Sequence, residues 1–237
     1  MIAILEIKGI TKRFGGIVAL DGCSVSIEEN TIMGIIGPNG SGKTTLFDII
    51  TGFQRPDSGE VLLKGRQITN FKTYEVSRRG IRRTFQIVRV FGNMSLTENM
   101  MVASRPELNY SKLDSDRIDG LLDYVGLLSL KDHPAGKLSF GQQKLLSFAM
   151  ALATDPEILM LDEPVAGVNP KIIEKMATSI RDLQNNGKTI VIVEHNIPFV
   201  MDISQQVVAL CGGFKIAQGA PIEIRKDQKV IDSYLGD

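Results

Sequence analysis

Cysteine is nearly missing from this chain. Cys23 and Cys211 stand alone, without the spacing of metal ligands, which excludes a cysteine-based zinc site and suits a reducing compartment, both thiols reading as small core hydrophobes. Neither charge is in excess: 27 Lys and Arg meet 27 Asp and Glu, a formal net charge of zero. Without a polybasic field, no nucleic-acid partner and no direct hold on anionic lipid is expected. Long apolar runs are lacking too. The longest, such as Leu145–Ala153, fall far short of the ~20 residues that cross a bilayer. No basic-then-apolar leader of the secretory kind stands at the start. These absences point to a soluble, cytoplasmic protein whose membrane role, if it has one, runs through a partner. No repeat, low-complexity tract or linker divides the 237 residues, a length that allows a substantial core.

What the chain does hold is concentrated first in residues 31–52. Thr31 to Ile36 is a short β-branched apolar run, the pattern of a buried strand. Gly37-Pro38-Asn39-Gly40-Ser41-Gly42-Lys43-Thr44 then matches G-x-x-x-x-G-K-[ST], and Thr45 to Ile50 continues as a helix that Gly52 can end. Strand, glycine-rich loop and helix follow in the order that phosphate binding needs. The glycines let the backbone wrap closely around phosphate oxygens with N–H groups turned inward. The helix N-terminus adds its positive dipole end, worth ~0.3–1 kcal/mol per facing anion. Lys43 would reach the β- and γ-phosphates of a nucleoside triphosphate and Thr44 would ligate Mg²⁺.

Elsewhere the pattern alternates between strands and helices. Ile2–Ile10 and Val18–Ile27 read as strands around a turn at Lys12-Arg13-Phe14-Gly15-Gly16. Phe14 has two readings, stacking on a nucleotide base or plugging the underside of that turn. Glu60–Ile68 is a strand interrupted at Gly65, a hairpin or an edge. A short helix at Thr73–Gly80 and a strand at Arg82–Gln86 follow. Ser95-Leu96-Thr97-Glu98 is a capping box opening the helix Leu96–Ala103. Arg105–Asp114 has the mixed turn chemistry of a surface loop, and Asp116–Leu128 has helical periodicity. Ser139 is placed to cap the helix Phe140–Thr154. The apolar run Ile158–Leu161 ends in Asp162 and Glu163, as a parallel strand does when it delivers acids to a ligand at its C-terminal end. Pro170–Asn186 is a helix, Lys188–Val193 a buried strand carrying Glu194 and His195, and Ile197–Ile203 a short helix. Strands at Gln206–Cys211 and Phe214–Gln218 and a helical tail over Pro221–Leu235 complete an α/β chain with a helical insertion. Asp162 is a natural second partner for Mg²⁺, and Glu163 beside it could polarise an attacking water. Adjacent strand residues face opposite ways, so the two acids should differ in role. The bland alternative is a pair of solvated acids at a strand end.

These residues together resemble the ATP-binding subunit of ATP-binding-cassette (ABC) transporters, over about residues 3 to 219. GPNGSGKTT (37–45) is similar to the Walker A motif and ILMLDE (158–163) to Walker B; LSFGQ (138–142) is similar to the family signature, EPVAGVNP (163–170) to the D-loop. Gln86 stands where the family's Q-loop glutamine follows a strand, and His195 where its switch histidine lies. The signature closes twenty residues before Asp162. The resemblance implies a P-loop NTPase (RecA-like) core with an antiparallel β subdomain. In one continuous domain, a core lobe of about 1–86 and 154–237 would carry an inserted helical subdomain of about 87–153. It implies ATP and Mg²⁺ as cofactors, with Mg²⁺ held by Thr44, Gln86 and Asp162. Glu163 would activate the water, and Gln86, His195 and Lys43 would assist. Phe14 and residues 37–45 would bind ATP, while Ser139, Gly141 and Gln142 would touch the ATP of a second subunit. Two ATP molecules would then lie head-to-tail between two ATP-binding subunits, on the inner face of a membrane. Permease subunits, and indirectly a substrate-binding protein, would complete the assembly.

Three positions depart from the broad family pattern: Phe140 for Gly, Gly167 for Ala and Asn169 for Asp. They would weaken the contact between subunits. They also resemble the subgroup that powers branched-chain amino-acid importers, as do Phe14-Gly15-Gly16, RRTFQ with RVF (82–91) and SLTENMMVA (95–103). That subgroup implies uptake of branched-chain amino acids. Other amino acids, urea and lipid export stay open as cargo, because motifs do not set it. A soluble cassette protein would more commonly carry two cassettes or a coiled-coil insertion. A small-molecule kinase would leave LSFGQ unexplained.

Overall fold

The computed structural model describes residues 3–85, 88–104 and 115–235. Gln86 and the expected surface loop Arg105–Asp114 lie outside the described residues. Among the described residues ten strands form two sheets. The first is antiparallel, in the order β2-β1-β4-β5, from β1 (Ala3–Phe14), β2 (Ile17–Glu28), β4 (Ser58–Leu63) and β5 (Arg66–Gln67). The second has six strands in the order β10-β9-β3-β8-β7-β6. Within it β3 (Ile32–Ile36), β6 (Ile81–Arg83), β7 (Ile158–Asp162), β8 (Thr189–Val193) and β9 (Gln206–Cys211) run parallel, and β10 (Phe214–Gly219) lies antiparallel at one edge. The helices are α1 (Lys43–Ile50), α2 (Thr73–Ser77), α3 (Leu96–Ala103), α4 (Ser115–Tyr124), α5 (Phe140–Leu152), α6 (Pro170–Asn185), α7 (Ile197–Ile203), α8 (Pro221–Ile224) and α9 (Gln228–Leu235).

Every residue of β3, β7 and β8 is buried, because helices or the second sheet cover both faces. Their side chains alternate between two cores. Met33, Ile35, Ile158, Met160, Val191 and Val193 face the antiparallel sheet and Phe47 of α1. Ile32, Leu159, Leu161, Ile190 and Ile192 face the helices α3 to α6. By this alternation Asp162 falls on the α1 side of the sheet, with the phosphate-loop helix. A third, smaller cluster joins Ile36 at the end of β3 to Val200, Ile224 and Val230 of α7, α8 and α9.

Several expected boundaries moved. The turn expected over Lys12–Gly16 is only Gly15-Gly16, since β1 keeps pairing with β2 as far as Phe14 opposite Ile17. The helix Thr73–Gly80 stops at Ser77, and the strand Arg82–Gln86 is shifted to Ile81–Arg83, where β7 offers it partners. The helix expected to reach Leu128 ends at Tyr124, where Gly126 turns the chain at φ +76°. The tail is two helices because Asp227 starts a new one, its Oδ1 accepting from the backbone N–H of Lys229 (2.9 Å) and Val230 (3.3 Å). No helix among the described residues is long and apolar enough to cross a membrane.

Candidate nucleotide-binding site

The loop after β3 can pass only as glycine at two points. A Cβ on Gly37, at φ +152°, would sit 2.2 Å from the carbonyl oxygen of Leu210 on β9. One on Gly42, at φ +100°, would sit 2.5 Å from that of Ala19 on β2. The loop is thus clamped between both sheets. Lys43 is buried beneath it, its Nζ donating to the carbonyls of Gly37 (2.7 Å) and Pro38 (2.8 Å) and to Ser41 Oγ (3.3 Å). Burial pulls its pKa down, and the carboxylates of Glu163 and Asp162 oppose that shift. Asn39, Gly40 and Thr44 are exposed, Pro38 and Thr45 half-buried. No side chain caps the start of α1 and no acid lies in its first turn, so its leading N–H groups and positive end remain for an anion.

Asp162 ends β7 with 5% exposure, and its Oδ2 accepts from Arg83 Nη2 at 2.6 Å. Its Oδ1 takes no hydrogen bond from a described residue. No group of three or more His, Cys, Asp or Glu that could cage a metal occurs among the described residues. One half-free carboxylate at the end of β7 and one exposed hydroxyl, that of Thr44 at the start of α1, suit a cation that arrives with phosphates and keeps its waters. That is how Mg²⁺ is usually held.

Glu163 is not part of the strand. It turns off β7 at φ +47°, an unusual value for a residue with a side chain. Bonds from several elements hold it there. Its N–H donates to Val193 O (2.8 Å), its carbonyl accepts from Lys144 Nζ (2.5 Å), and its Oε1 lies 3.1 Å from His195 Nε2. The two neighbouring acids are therefore separated by this turn, and not by the strand alternation expected from sequence. Lys144 comes from α5 and is buried, which pulls its pKa down against the raising effect of Glu194, Glu163 and Asp162. Glu194, only 1% exposed at the end of β8, braces the loops on both sides. Its Oε1 accepts from Val165 N (2.8 Å), and its Oε2 from the N–H of His195 (3.0 Å) and Asn196 (3.2 Å). His195 itself is exposed at the strand end.

The LSFGQ segment stands apart. Ser139 caps α5, its Oγ accepting from Gln142 N (3.3 Å) while Gln142 Oε1 accepts from Ser139 N (2.9 Å). None of the hydrogen bonds of Ser139, Gly141 or Gln142 reaches the phosphate loop. Two departures from the family pattern meet in space. Gly167 sits at φ +72°, where a side chain would be strained, and a Cβ there would make ordinary van der Waals contact with Phe140 Cε1, at 3.4 Å. Asn169 caps α6 through its Oδ1, which accepts from Ile172 N at 3.1 Å, as an aspartate would. Asn169→Ala is expected to lose about 1 kcal/mol of stability, and Asn169→Asp almost none, in denaturant unfolding.

The structure places Lys43, Asp162, Glu163 and His195 at one end of the parallel sheet. Phe14 is exposed on the β1–β2 hairpin, with Lys12 Nζ 5.4 Å from its ring centroid, and so does not plug the turn. Gln86 lies outside the described residues. Sequence reasoning gave Arg83, Lys144 and Glu194 no role. Glu194, beside His195 at the end of an apolar strand, carried a visible signal; Arg83 and Lys144 are ordinary cations in sequence whose partners lie 79 and 19 residues away.

Two family profiles match the chain: ABC transporter over residues 20–166, and branched-chain amino acid ATP-binding cassette transporter over residues 215–237. The high-affinity branched-chain amino acid transport ATP-binding protein BraF of Pseudomonas aeruginosa is 37% identical over 250 residues, covering 99% of this chain and 98% of that protein. Among solved structures, a nucleotide-free ATP-binding cassette from an ABC transporter is similar with a TM-score of 0.90 and 34% identity, covering 100% of both chains. A dimeric cassette in a post-hydrolysis state, bound to ADP and Pi, is similar with a TM-score of 0.80 and 27% identity, covering 92% of this chain and 98% of that one.

Proposed function

This chain belongs to the ABC transporter family as an ATP-hydrolysing subunit homologous to the ATPases of branched-chain amino-acid importers, and from that premise we propose that it pairs with a second ATP-binding subunit to drive uptake of branched-chain amino acids. The observation that carries the pairing is the division of the site. The phosphate loop, Asp162, Glu163 and His195 share one sheet end, while the capped start of α5, with Ser139, Gly141 and Gln142, makes no hydrogen bond to that loop. In a head-to-tail pair the start of α5 would meet the γ-phosphate held by the other subunit, with helix N–H groups facing the anion. The dimeric ADP and Pi-bound relative supports this arrangement. The match over residues 215–237 and the names of the relatives support the cargo.

Within each half-site, Lys43 and the N–H groups of residues 37–45 would hold the phosphates, and the Phe14 ring would stack on the base. Thr44 and Asp162 would hold Mg²⁺, which, when bound, would offset phosphate charge as it develops. Gln86 would join them and relay site occupancy to the helical insertion of residues 87–153. Glu163 would take a proton from the attacking water, its carboxylate aimed by His195 and its backbone held by Lys144. His195 would also hydrogen-bond the γ-phosphate. Membrane permease subunits, fed by a substrate-binding protein, would dock from the membrane's inner face. Turnover per chain should rise steeply with chain concentration and fall away on dilution. Mixing Ser139→Trp with Glu163→Gln, each inactive alone, should restore hydrolysis, because one mixed site is then intact. Turnover independent of dilution, with no recovery on mixing, would defeat the shared-site reading.

A further inference from the structure

Arg83 ties together two acids that belong to different parts of the site. It lies on β6 beside β7, and its guanidinium donates through Nη1 to Asp48 Oδ1 of α1 (2.5 Å) and through Nη2 to Asp162 Oδ2 (2.6 Å). Its side chain is 7% exposed. Three rings surround it, with Phe47, Phe53 and Phe85 centroids 5.5, 5.7 and 5.6 Å from its Cζ. The planar fork of an arginine spans two carboxylates in a way a single ammonium cannot, and the rings remove its freedom to swing away. Arg83 Nε is buried with no partner, so the side chain is held by its two acid contacts, a longer bond from Nη1 to Thr51 Oγ1 (3.4 Å) and its packing.

We propose that Arg83 is a positioning residue for the metal. It occupies Oδ2 of the buried Asp162 and so presents Oδ1 toward the phosphate-loop side. Through Asp48 it references that carboxylate to the same helix that carries Thr44. The inference rests on the reading of Asp162 as a Mg²⁺ partner. Without the guanidinium, two carboxylates would face an apolar surround with one cation fewer. Asp162 would then be free to turn, and the metal would lose a ligand set in advance.

Mn²⁺ binding in the presence of ATP, followed by its electron paramagnetic resonance signal, tests this, with ATP affinity measured separately in EDTA. Arg83→Met should weaken Mn²⁺ by about 10- to 100-fold, the usual effect of removing a residue that orients a metal ligand. ATP affinity in EDTA should stay within about twofold, because the phosphate loop is untouched, and Arg83→Lys should recover only part of the loss. Unchanged Mn²⁺ affinity in Arg83→Met, or an equal fall in ATP affinity with and without metal, overturns the proposal. If that variant does not fold, Asp48→Asn carries the test: it frees one anchor and should weaken Mn²⁺ several-fold, and no change there is equally fatal. Asp162→Asn separates the two failures. If it leaves Mn²⁺ affinity intact, the metal role of Asp162 is wrong; if it alone weakens Mn²⁺, only the role of Arg83 is.

Discussion

Glu163→Gln is expected to bind ATP as the native chain does and to hydrolyse it ~10²–10⁴-fold more slowly, the usual cost of losing a general base. The amide keeps the size and shape of the carboxylate. The backbone bonds from Lys144 to the carbonyl of residue 163 and from its N–H to Val193 do not depend on the side chain. The left-handed turn at φ +47° should therefore survive, and with it the aim of the side chain. What disappears is the capacity to take a proton. The ATP-bound pair would then accumulate, visible as an ATP-dependent dimer in size-exclusion chromatography that does not decay. Single-turnover kinetics separate this outcome from slow product release. Hydrolysis at the native rate in this variant removes Glu163 from the role of base.

Lys43→Ala is expected to act one step earlier, on binding. The ammonium makes three bonds within the loop, to Gly37 O, Pro38 O and Ser41 Oγ, and provides the charge nearest the phosphates in the proposed complex. Losing a charge-assisted hydrogen bond costs about 1.5–3 kcal/mol, which corresponds to about 10- to 100-fold in nucleotide affinity. Burial has already lowered the ammonium's pKa, so it is held at a desolvation cost that a phosphate would offset. Titration calorimetry with ATP in EDTA measures the loss free of metal effects. Affinity within about twofold of the native chain would assign Lys43 to holding the loop and not to the nucleotide.

How far the chain could be read in advance depended on the range over which each feature is set. Ser95 and Glu98 form the capping box expected of them, and Ser139 caps α5 as expected, because a cap is decided within four residues. The buried strands β3, β7 and β8 were visible as apolar runs, since a strand covered on both faces needs no polar positions. One boundary failed where a neighbour decides it, β6 moving because β7 supplies its partners; the tail split at a local signal that the reading passed over, Asp227 taking two N–H groups within three residues. The departures at positions 140, 167 and 169 looked like three losses in sequence. In space Phe140 lies against Gly167, whose positive φ suits glycine, and Asn169 is one cap exchanged for its equivalent.

The phosphate loop, the apolar strands and the acids at their ends were legible in linear order, because backbone freedom, periodicity and capping are local properties. Which charges meet was not. Arg83 reaches Asp48 and Asp162 across 35 and 79 positions, and Lys144 reaches Glu163 from α5. Such pairs carry no spacing rule, since what joins them is the pairing of β6 with β7 and the packing of α5 against the sheet end. An ion pair in a low-dielectric interior is set by ångström-scale geometry that folding alone creates.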